Sequence, residues 1–302
     1  MSTTILITGA TGLIGSRLVS FLSQKDSDII AVSQNVTHAR KILPSAKKII
    51  AWNELDSVAN EKIDTIINLA GTNLDAKRWS GKFRKEIYDS RIESTGKIIG
   101  LIKDMPSKPE VLINASGVDY YGNTGDKDID ENSPHEDSFI GNLVYDWEQE
   151  AIKAKQYGVR VVCLRTGFVI AHESKAFKKM INPYKMFVGG YPGSGKQFLS
   201  WIDIEDLVNI YLFCIGNKSL SGGLNASSPS PMRMKEFSRL IGKVLHRPWF
   251  SPAPALILKI MFGGISSLIL SGRKALPGTL LKAGFSFKYP DAFDSLSKEL
   301  NK

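Results

Sequence analysis

A run of small residues near the amino terminus has the composition of a phosphate-binding turn. Gly9, Gly12 and Gly15 follow an apolar run at residues 5–7 and come directly before an amphipathic segment. In a strand–turn–helix unit, the first glycines let the backbone turn tightly beside a pyrophosphate, and the last lets the helix pack on the strand. The helix amino terminus adds free N–H groups. The spacing therefore predicts a dinucleotide site, with three turn glycines and no ligand as the alternative.

The residues after the second predicted strand indicate which dinucleotide would bind. No acidic residue lies between Asp28 and Glu54, where an NAD-binding chain places a carboxylate for the ribose 2′-hydroxyl. Ser33 and Gln34 offer hydrogen-bond donors instead, and Arg40 adds positive charge. Donors and charge suit a 2′-phosphate, so the sequence favours NADP(H) over NAD. In the alternative interpretation, Arg40 lies on the solvated face of a short helix.

Alternating apolar and amphipathic segments predict the elements that position these residues. Candidate strands lie at 4–8, 29–33, 65–69, 111–115 and 160–165, and candidate helices lie at 15–24 and 82–104. Beyond about residue 172, Pro- and Gly-rich connections separate short helices. This order is typical of an α/β protein with a Rossmann-like, doubly wound parallel sheet. We predict a dinucleotide-binding domain at 1–171 and a smaller substrate-side domain at 172–302, partly interwoven with the first.

Composition bounds the class of protein. The 302 residues are 43% hydrophobic and 23% charged, which excludes disordered, collagen-like and coiled-coil chains. Cys163 and Cys214 lie inside apolar runs and cannot build a disulfide framework, so we expect a reducing compartment, the cytoplasm. Because a strand-like run begins at Thr3, we expect no signal or transit peptide.

The net charge of +9 requires nucleic acid and membrane to be weighed as partners. Acidic residues are interleaved with the basic ones, as between Lys77 and Lys97, and no aromatic stacking pattern accompanies them, so no nucleic acid is predicted. Lys259 and two glycines interrupt the apolar stretch at 253–270. That stretch predicts a buried or interfacial helix pair, and no membrane partner. The four histidines are far apart, and no metal is predicted.

Further motifs along the chain resemble those of one protein family. They cover nearly the whole sequence and lie at 68–71, 78–79, 85–91, 120–122, 146–148, 164–167, 193–195, 224–226 and 246–248. With the glycine-rich loop, they resemble the extended short-chain dehydrogenase/reductase superfamily. The match is closer to its epimerase family branch, of NAD-dependent epimerase/dehydratase-like proteins, some labelled nucleoside-diphosphate-sugar epimerases or cell-division-inhibitor homologues. The pair Arg78 and Trp79 is specific to that branch.

The resemblance implies a Rossmann-like domain that binds NADP(H) and a C-terminal domain that closes over the cleft of a small-molecule substrate. A homodimer is one possible assembly that the resemblance does not decide. The positions implied at the pyrophosphate are Gly9, Thr11, Gly12, Leu13 and Ile14, and those at the adenosine ribose phosphate are Ser33, Gln34 and Arg40. The other implied cofactor positions are Leu69, Ala70, Gly71, Glu86, Arg91 and Thr166. For Glu86 and Arg91, the alternative is an ordinary pair of helix-surface charges.

The same superfamily ordinarily transfers a proton with a tyrosine that has a lysine four residues later. A free phenol, with a pKa of about 10, is a poor base at neutral pH, and the ammonium group stabilises its phenolate. None of the nine tyrosines in this chain has a lysine at that position. Tyr145 lies nearest the expected segment, but Gln149 occupies the lysine position. Tyr145 would act unassisted as an acid, and helix packing is the alternative.

The segment after the strand at 111–115 occupies the place of the superfamily's catalytic serine or threonine. Ser116 lies within a residue of that position, although Gly117 is an alternative equivalent. Tyr120 and Tyr121 are adjacent, so we expect their side chains to point in different directions. We predict Ser116 with one of these tyrosines as substrate-facing groups, and core tyrosines are the alternative. Downstream, Lys196 and Trp201 would meet an anionic or nucleotide group.

Two functions follow from these residues. The first is an NADP-dependent oxidoreductase or epimerase that acts on a small carbonyl, alcohol or sugar-nucleotide-like substrate, with hydride passing to or from the nicotinamide. The second is an NADP-binding regulatory or sensor protein that has lost the tyrosine–lysine proton relay. The missing lysine favours the sensor, and the retained substrate-side region favours the enzyme.

Overall fold

A seven-stranded parallel sheet lies at the centre of the computed structural model, which describes residues 3–250 and 252–301. The strands of the chain are β1 (Thr4–Thr8), β2 (Asp28–Ser33), β3 (Lys48–Ala51), β4 (Thr65–Asn68), β5 (Val111–Gly117), β6 (Asp128–Ile129), β7 (Arg160–Thr166), β8 (Phe168–Ile170), β9 (Phe198–Leu199), β10 (Trp201–Asp203), β11 (Gly222–Ala226), β12 (Met232–Arg233) and β13 (Lys274–Ala275). The order in the central sheet is β11-β7-β5-β4-β1-β2-β3. This doubly wound order confirms the predicted Rossmann-like α/β fold.

Helices cover both faces of that sheet. They are α1 (Leu13–Ser23), α2 (Val36–Ile42), α3 (Gly81–Asp104), α4 (Phe139–Ile152), α5 (Lys175–Lys185), α6 (Ile204–Gly216), α7 (Met234–Leu245), α8 (Ala255–Phe262), α9 (Ser266–Leu270), α10 (Gly278–Lys282) and α11 (Ala292–Leu300). Side chains alternate along β1, so Ile5 and Ile7 pack with α1 and α6, while Leu6 packs with α3. β1, an interior strand of the sheet, is thus buried on both sides, as is typical of a parallel sheet.

The five predicted strands and two predicted helices all form, with bounds that differ by at most two residues from the predicted ones. Two further strands of the central sheet, β3 and β11, were not predicted. Lys48 opens β3 and two glycines open β11, so neither has a strong strand pattern of its own. Pairing with β2 and β7 fixes them as the two edges of the sheet.

The second part of the chain returns to the central sheet and also builds a separate small core. β11 pairs with β7, and α6 packs against α1 and β5. The separate core joins α5, α7 and α11 around Phe177, Trp201 and Phe237. Three two-stranded pairs, β8 with β10, β9 with β12 and β6 with β13, link these layers. The division at residue 171 stays a prediction.

The apolar stretch at 253–270 forms α8, a short 3₁₀ turn and α9. Leu258 and Ser266 are buried, whereas Leu256 and Ile260 are 69% and 64% exposed. Their exposure is incompatible with the buried alternative for α8. No helix within the described ranges is long and apolar enough to cross a bilayer.

Candidate functional site

The glycine-rich loop forms a close contact with the segment after β4. Gly9 has a φ of +63°, and a Cβ atom there would lie 2.6 Å from the carbonyl oxygen of Leu69. The N–H of Gly12 donates to the carbonyl of Gly9 at 3.0 Å, which closes the turn. A Cβ on Gly15 would lie 2.5 Å from that same carbonyl, so α1 packs directly on the turn. The tight turn and the close packing of the helix that the spacing predicted are therefore present, and the contact of these glycines with a pyrophosphate stays a prediction.

The amino terminus of α1 is available to an anion. Gly12 is the N-cap residue and supplies no side chain to accept from the first-turn N–H groups. Thr11, Leu13 and Ile14 surround this end and are all partly exposed. Unpaired N–H groups and the helix dipole together make such an end a phosphate site.

A buried hydrogen-bond network forms the floor beneath this turn. The Thr8 hydroxyl donates to Asn68 Oδ1 at 2.7 Å, and Asn68 Nδ2 donates to Thr95 Oγ1 at 2.9 Å and to Asn114 Oδ1 at 2.6 Å. Trp147 Nε1 also donates to Thr95 Oγ1, at 2.9 Å. The network joins the carboxyl ends of β1, β4 and β5 to α3 and α4, which fixes the edge where a doubly wound sheet binds its ligand.

Arg91 anchors the segment after β4, and Glu86 does not pair with it. Arg91 Nη1 donates to the carbonyl of Thr72 at 3.0 Å, and its guanidinium lies 5.1 Å from the ring centre of Trp147. Burial lowers the pKa of Arg91 to about 10, so it stays charged at neutral pH. Glu86 is exposed and pairs with Lys77 at 3.3 Å. The alternative of a surface pair between Glu86 and Arg91 is therefore wrong.

The predicted contacts around the cofactor differ in exposure. Ala70 is buried and Leu69 partly buried, whereas Gly71 is exposed and packs on the Arg91 side chain. Thr166 ends β7, and its hydroxyl donates to the carbonyl of Leu164 at 3.2 Å. Their roles toward a cofactor stay predictions.

Polar groups gather at the carboxyl end of β2. Ser33 is buried and its hydroxyl accepts from the N–H of Asn35 at 3.2 Å, while Gln34 is exposed. Asn35 caps α2 by accepting from the N–H of His38. Arg40 is exposed one turn further on and lines a cavity of about 800 Å³ beside β3. Its role at a 2′-phosphate stays a prediction.

Ser116 belongs to a buried ion pair that the sequence did not predict. Its hydroxyl donates to Glu148 Oε1 at 2.5 Å. The same carboxylate accepts from Arg165 at 2.9 Å through Nε and at 2.8 Å through Nη2. Burial opposes the charge, but the hydrogen bonds from Glu148 raise the pKa of Arg165. The hydroxyl of Ser116 is thus engaged by a carboxylate inside the protein.

The two adjacent tyrosines enclose that arginine. The Tyr121 hydroxyl donates to Asn225 Oδ1 and accepts from Arg165 Nη1, both at 2.8 Å. The guanidinium carbon lies 3.6 Å from the ring centre of Tyr120. Burial raises the pKa of Tyr121 to about 12 and also raises that of Tyr120. Neither phenol is poised to act as a base at neutral pH.

Tyr145 lies apart from Ser116, in an aromatic cluster. Its ring stacks on that of His135 with centres 4.3 Å apart, and the Tyr120 ring centre is 6.5 Å away. Tyr145 is partly exposed, and no hydrogen bond to its hydroxyl is found in the described part of the chain. The structure therefore brings Ser116, Tyr120 and Tyr121 together around Arg165, and leaves Tyr145 beside them.

Glu148 and Arg165 lie within the motifs at 146–148 and 164–167, but no role was predicted for either of them. Their signal is a charged side chain on an otherwise apolar surface: β7 is buried from Val161 to Arg165, and Glu148 follows Trp147 on the buried face of α4. Charged residues at such positions are almost always paired.

Basic groups surround Phe198 on the substrate side. The guanidinium of Arg233 lies 4.7 Å and the ammonium of Lys274 5.4 Å from its ring centre. Lys196 is close to them, because Arg233 donates a hydrogen bond to its backbone carbonyl, and its side chain is exposed. Trp201 is fully buried, and its Nε1 donates to the carbonyl of Ser230 at 2.9 Å. The expectation that Trp201 meets a ligand is therefore wrong.

No group of three histidine, cysteine or carboxylate side chains fit to hold a metal ion is present among residues 3–250 and 252–301. The polar groups described at the candidate site are backbone N–H groups, hydroxyls and the buried pair of Glu148 and Arg165.

The sequence matches two known family profiles. The profile of the NAD dependent epimerase/dehydratase family matches residues 5–224, and that of a domain of unknown function, DUF1731, matches residues 253–298. Among individual proteins, the epimerase family protein SDR39U1 homologue of Arabidopsis thaliana, described as chloroplastic, is 36% identical over 298 residues, which are 97% of this chain and 85% of that protein. An epimerase family protein of Staphylococcus aureus strain N315 is 35% identical over 97% of this chain and 99% of its own length.

Solved structures agree with the fold. The human epimerase family protein SDR39U1 (isoform 2), solved with NADPH, has a TM-score of 0.90 and 30% identity, and the match covers 99% of this chain and 100% of that one. A nucleoside-diphosphate sugar epimerase from Corynebacterium glutamicum has a TM-score of 0.80 at 24% identity, over 99% of this chain and 58% of that one, and shows the fold alone. The extent of the family profile and the identity of the relatives lead to one conclusion: the chain belongs to the NAD dependent epimerase/dehydratase family.

Proposed function

We propose that the chain is an NADP(H)-dependent oxidoreductase or epimerase of the short-chain dehydrogenase type, acting on a small carbonyl, alcohol or sugar-nucleotide-like substrate. The observation that carries this proposal is the turn from Gly9 to Gly12, closed against Leu69 beneath an uncapped helix end. The presence of NADPH in the structure of the human relative supports it.

The chain's own residues fit a dinucleotide with a 2′-phosphate. The diphosphate would lie on the N–H groups after Gly9, next to Thr11, Gly12, Leu13 and Ile14. Ser33 and Gln34 occupy the end of β2, where NAD-binding chains have an acidic residue that would repel a 2′-phosphate. When bound, the nicotinamide would supply a hydride donor or acceptor. Leu69, Ala70 and Gly71 would border it, and Arg91 would hold that segment in place.

Three of the four candidate hydroxyls divide into two roles. Those of Ser116 and Tyr121 are hydrogen-bonded to Glu148, Arg165 and Asn225, so they position the buried ion pair. Tyr145 keeps an unengaged hydroxyl as far as the described residues go, and we propose it as the donor to a substrate oxygen. With no lysine beside it, Tyr145 would act as a neutral acid.

Fluorescence titration of the purified protein with NADPH and NADH tests the cofactor. We expect NADPH to bind more tightly, by about tenfold or more for the charge contacts of one phosphate. Ser33→Asp places a carboxylate at the carboxyl end of β2 and should reverse the preference, while Asp56→Ser, an exposed change on the 3₁₀ helix after β3, should not. Equal affinity of the unaltered protein for NADPH and NADH would refute the 2′-phosphate argument.

A sensor that binds NADP(H) without turning it over is the second candidate. The engagement of Ser116 and Tyr121 inside the protein favours it, because neither hydroxyl is free to polarise a substrate. NADPH oxidation with a panel of aldehydes, ketones and nucleotide sugars separates the two functions. Turnover that falls in Tyr145→Phe supports the enzyme, whereas tight NADPH binding with no turnover on any substrate supports the sensor.

The location and the substrate charge are parts of the same proposal. Cys163 and Cys214 are buried free thiols, in keeping with a reducing compartment such as the cytoplasm. Arg233 and Lys274 are paired with Asp126 and Asp128. Lys196, which is exposed near Phe198 and has no carboxylate within 4 Å among the described residues, would suit a phosphorylated or otherwise anionic substrate.

A further inference from the structure

Exposed apolar side chains concentrate in two segments outside the proposed site. Six large hydrophobic side chains among the described residues are more than half exposed. They are Met186 (72%), Phe187 (54%), Val188 (65%), Phe250 (62%), Leu256 (69%) and Ile260 (64%). Single exposed apolar residues are ordinary, but a concentration of this kind marks an interaction surface.

The two segments that carry these side chains lie side by side. Gly189 bridges to Trp249 and Pro192 bridges to Ala253, and the N–H of Phe250 donates to the carbonyl of Gly189 at 2.7 Å. The first segment directly follows α5, and the second leads directly into α8. The exposed side chains therefore belong to one region of the surface, formed by the end of α5, the paired segments and α8.

The same region lies within the most basic part of the sequence. Residues 174–202 and 237–290 contain 13 lysines and arginines and no aspartate or glutamate. The rest of the chain contains the other 26 lysines and arginines and all 30 acidic residues. The net charge of +9 is thus confined to these two stretches, and the remainder of the molecule is slightly acidic.

Several of these lysines flank the exposed apolar side chains. Lys178 and Lys185 lie on the exposed side of α5, and Lys259 lies between Leu256 and Ile260 on α8. None of the three has a carboxylate within 4 Å among the residues that the structure describes. Arg247 covers the ring of Phe187 at 4.4 Å, which adds a fourth cation to the same region.

We infer that this surface docks on an anionic phospholipid bilayer. The apolar–basic face consists of Met186, Phe187, Val188, Phe250, Leu256 and Ile260, flanked by Lys178, Lys185 and Lys259. Its apolar side chains would enter the interface between headgroups and acyl chains, while the lysines would pair with lipid phosphates. Binding of this kind needs no spanning helix.

A bilayer fits this face better than a protein partner does. The apolar side chains project from the surface, whereas a docked peptide helix needs a groove to receive it. Two surface cavities, of about 800 and 780 Å³, lie elsewhere, beside β3 and beside the end of α6. A second copy would bring the lysines of one face against those of the other, which opposes a symmetric pair.

Cosedimentation of the full chain with lipid vesicles tests the inference. We expect binding to vesicles of phosphatidylcholine with about one third phosphatidylglycerol, and little binding to phosphatidylcholine alone. Raising the salt from ~0.1 M to ~0.5 M should weaken it, because screening reduces the charge contribution. Absence of binding to the anionic vesicles at ~0.1 M salt, or equal binding to both vesicle types, would overturn the inference.

Two variants and their matched controls locate the binding surface. Charge reversal at Lys178, Lys185 and Lys259 should weaken binding about a hundredfold, at about fivefold per lysine. The same reversal at Lys97, Lys103 and Lys155, which are exposed elsewhere, should weaken it far less. Phe187→Ser with Ile260→Ser should also reduce binding, and the exposed Ile42→Ser should not.

The mass in solution and the NADPH affinity complete the design. Analytical ultracentrifugation that finds a dimer, converted to monomer by Phe187→Ser with Ile260→Ser, would assign the face to a second copy and overturn the inference. NADPH affinity should be unchanged in every vesicle-binding variant. Failure of lipid binding is thereby distinguished from failure of the proposed function.

Discussion

Gly9 shows how strictly one residue controls the cofactor turn. Alanine there would hold a left-handed backbone and bring its Cβ atom within 2.6 Å of the Leu69 carbonyl oxygen. We expect Gly9→Ala to abolish NADPH binding in a fluorescence titration, and to lower the free energy of unfolding by about 1–3 kcal/mol. Gly100→Ala is the matched control, because its Cβ would meet none of the described atoms within 4 Å. Equal NADPH affinity in the two variants would contradict the proposed turn.

The pair of Glu148 and Arg165 should be more important for stability than any surface ion pair. Both side chains are nearly inaccessible, at 4% and 6% exposure. Removing the carboxylate charge leaves a buried guanidinium without its counter-charge, so Glu148→Gln should lower the free energy of unfolding by about 3–5 kcal/mol in urea. Glu61→Gln breaks the exposed pair with Lys48 and should change it by less than about 1 kcal/mol. Similar losses in both variants would show that burial does not set the strength of the first pair.

At the scale of elements, Arg91 connects α3 to the segment that follows β4. Its guanidinium donates a hydrogen bond to the carbonyl of Thr72 and lies over the ring of Trp147. Arg91→Met keeps most of the side-chain volume and removes the hydrogen bond, so residues 69–72 lose an anchor. We expect NADPH to bind about tenfold more weakly, corresponding to roughly one charged hydrogen bond. Arg84→Met on the same helix, whose guanidinium lies over Phe139, should leave the affinity unchanged.

The elements that local sequence specifies were predicted, and those that depend on pairing were not. β1 and the three turn glycines lie within the twelve residues from Thr4 to Gly15, so their signal is contiguous. By contrast, β11 begins with two glycines and exists because β7 offers it an edge. The hydrogen bonds of Ser116 likewise cross from β5 to α4, a distance of 32 residues in sequence. A linear pattern carries no information on which buried polar groups meet across such a distance.

At the scale of the whole molecule, Lys298 fastens the last helix to the rest of the chain. It donates to the fully buried Asp203 at 2.7 Å and lies 3.2 Å from both Glu205 and Glu299. Lys298→Met should lower the free energy of unfolding by about 2–4 kcal/mol, because it leaves buried carboxylates without a cation. Lys288→Met is the control: it removes an exposed partner of Glu205 and should have little effect. Equal stability of the two variants would argue against this role for Lys298.

The same cluster gives stability a defined dependence on pH. Burial opposes the charge of Lys298, but its hydrogen bond with Asp203 raises its pKa. A raised lysine pKa stabilises the fold below the unfolded value near 10.4, and this stabilisation is lost as pH rises through the folded value. Wild-type protein should therefore lose more stability than Lys298→Met as pH rises above about 10 in urea denaturation. If the free energies of unfolding of the two proteins changed in parallel with pH, the raised pKa of Lys298 would be contradicted.

Net charge is another whole-molecule property that the overall composition obscures. Acidic residues are interleaved with basic ones between Lys77 and Lys97, yet the two acid-free stretches hold all of the excess positive charge. The fold sets the segments that carry their exposed apolar side chains beside each other. Only the folded chain shows that charge and apolar exposure coincide.

The position of β11 constrains how the protein can be divided. The strand comes from residues 222–226, yet it covers the outer edge of β7. A chain ending at residue 171 would leave residues 162–166 of β7 without their partner strand on that edge, and an open strand edge recruits other chains. The nucleotide-binding part expressed alone should therefore aggregate, and a functional split or fusion of this protein must keep residues 222–226 covalently or stably associated with the first part.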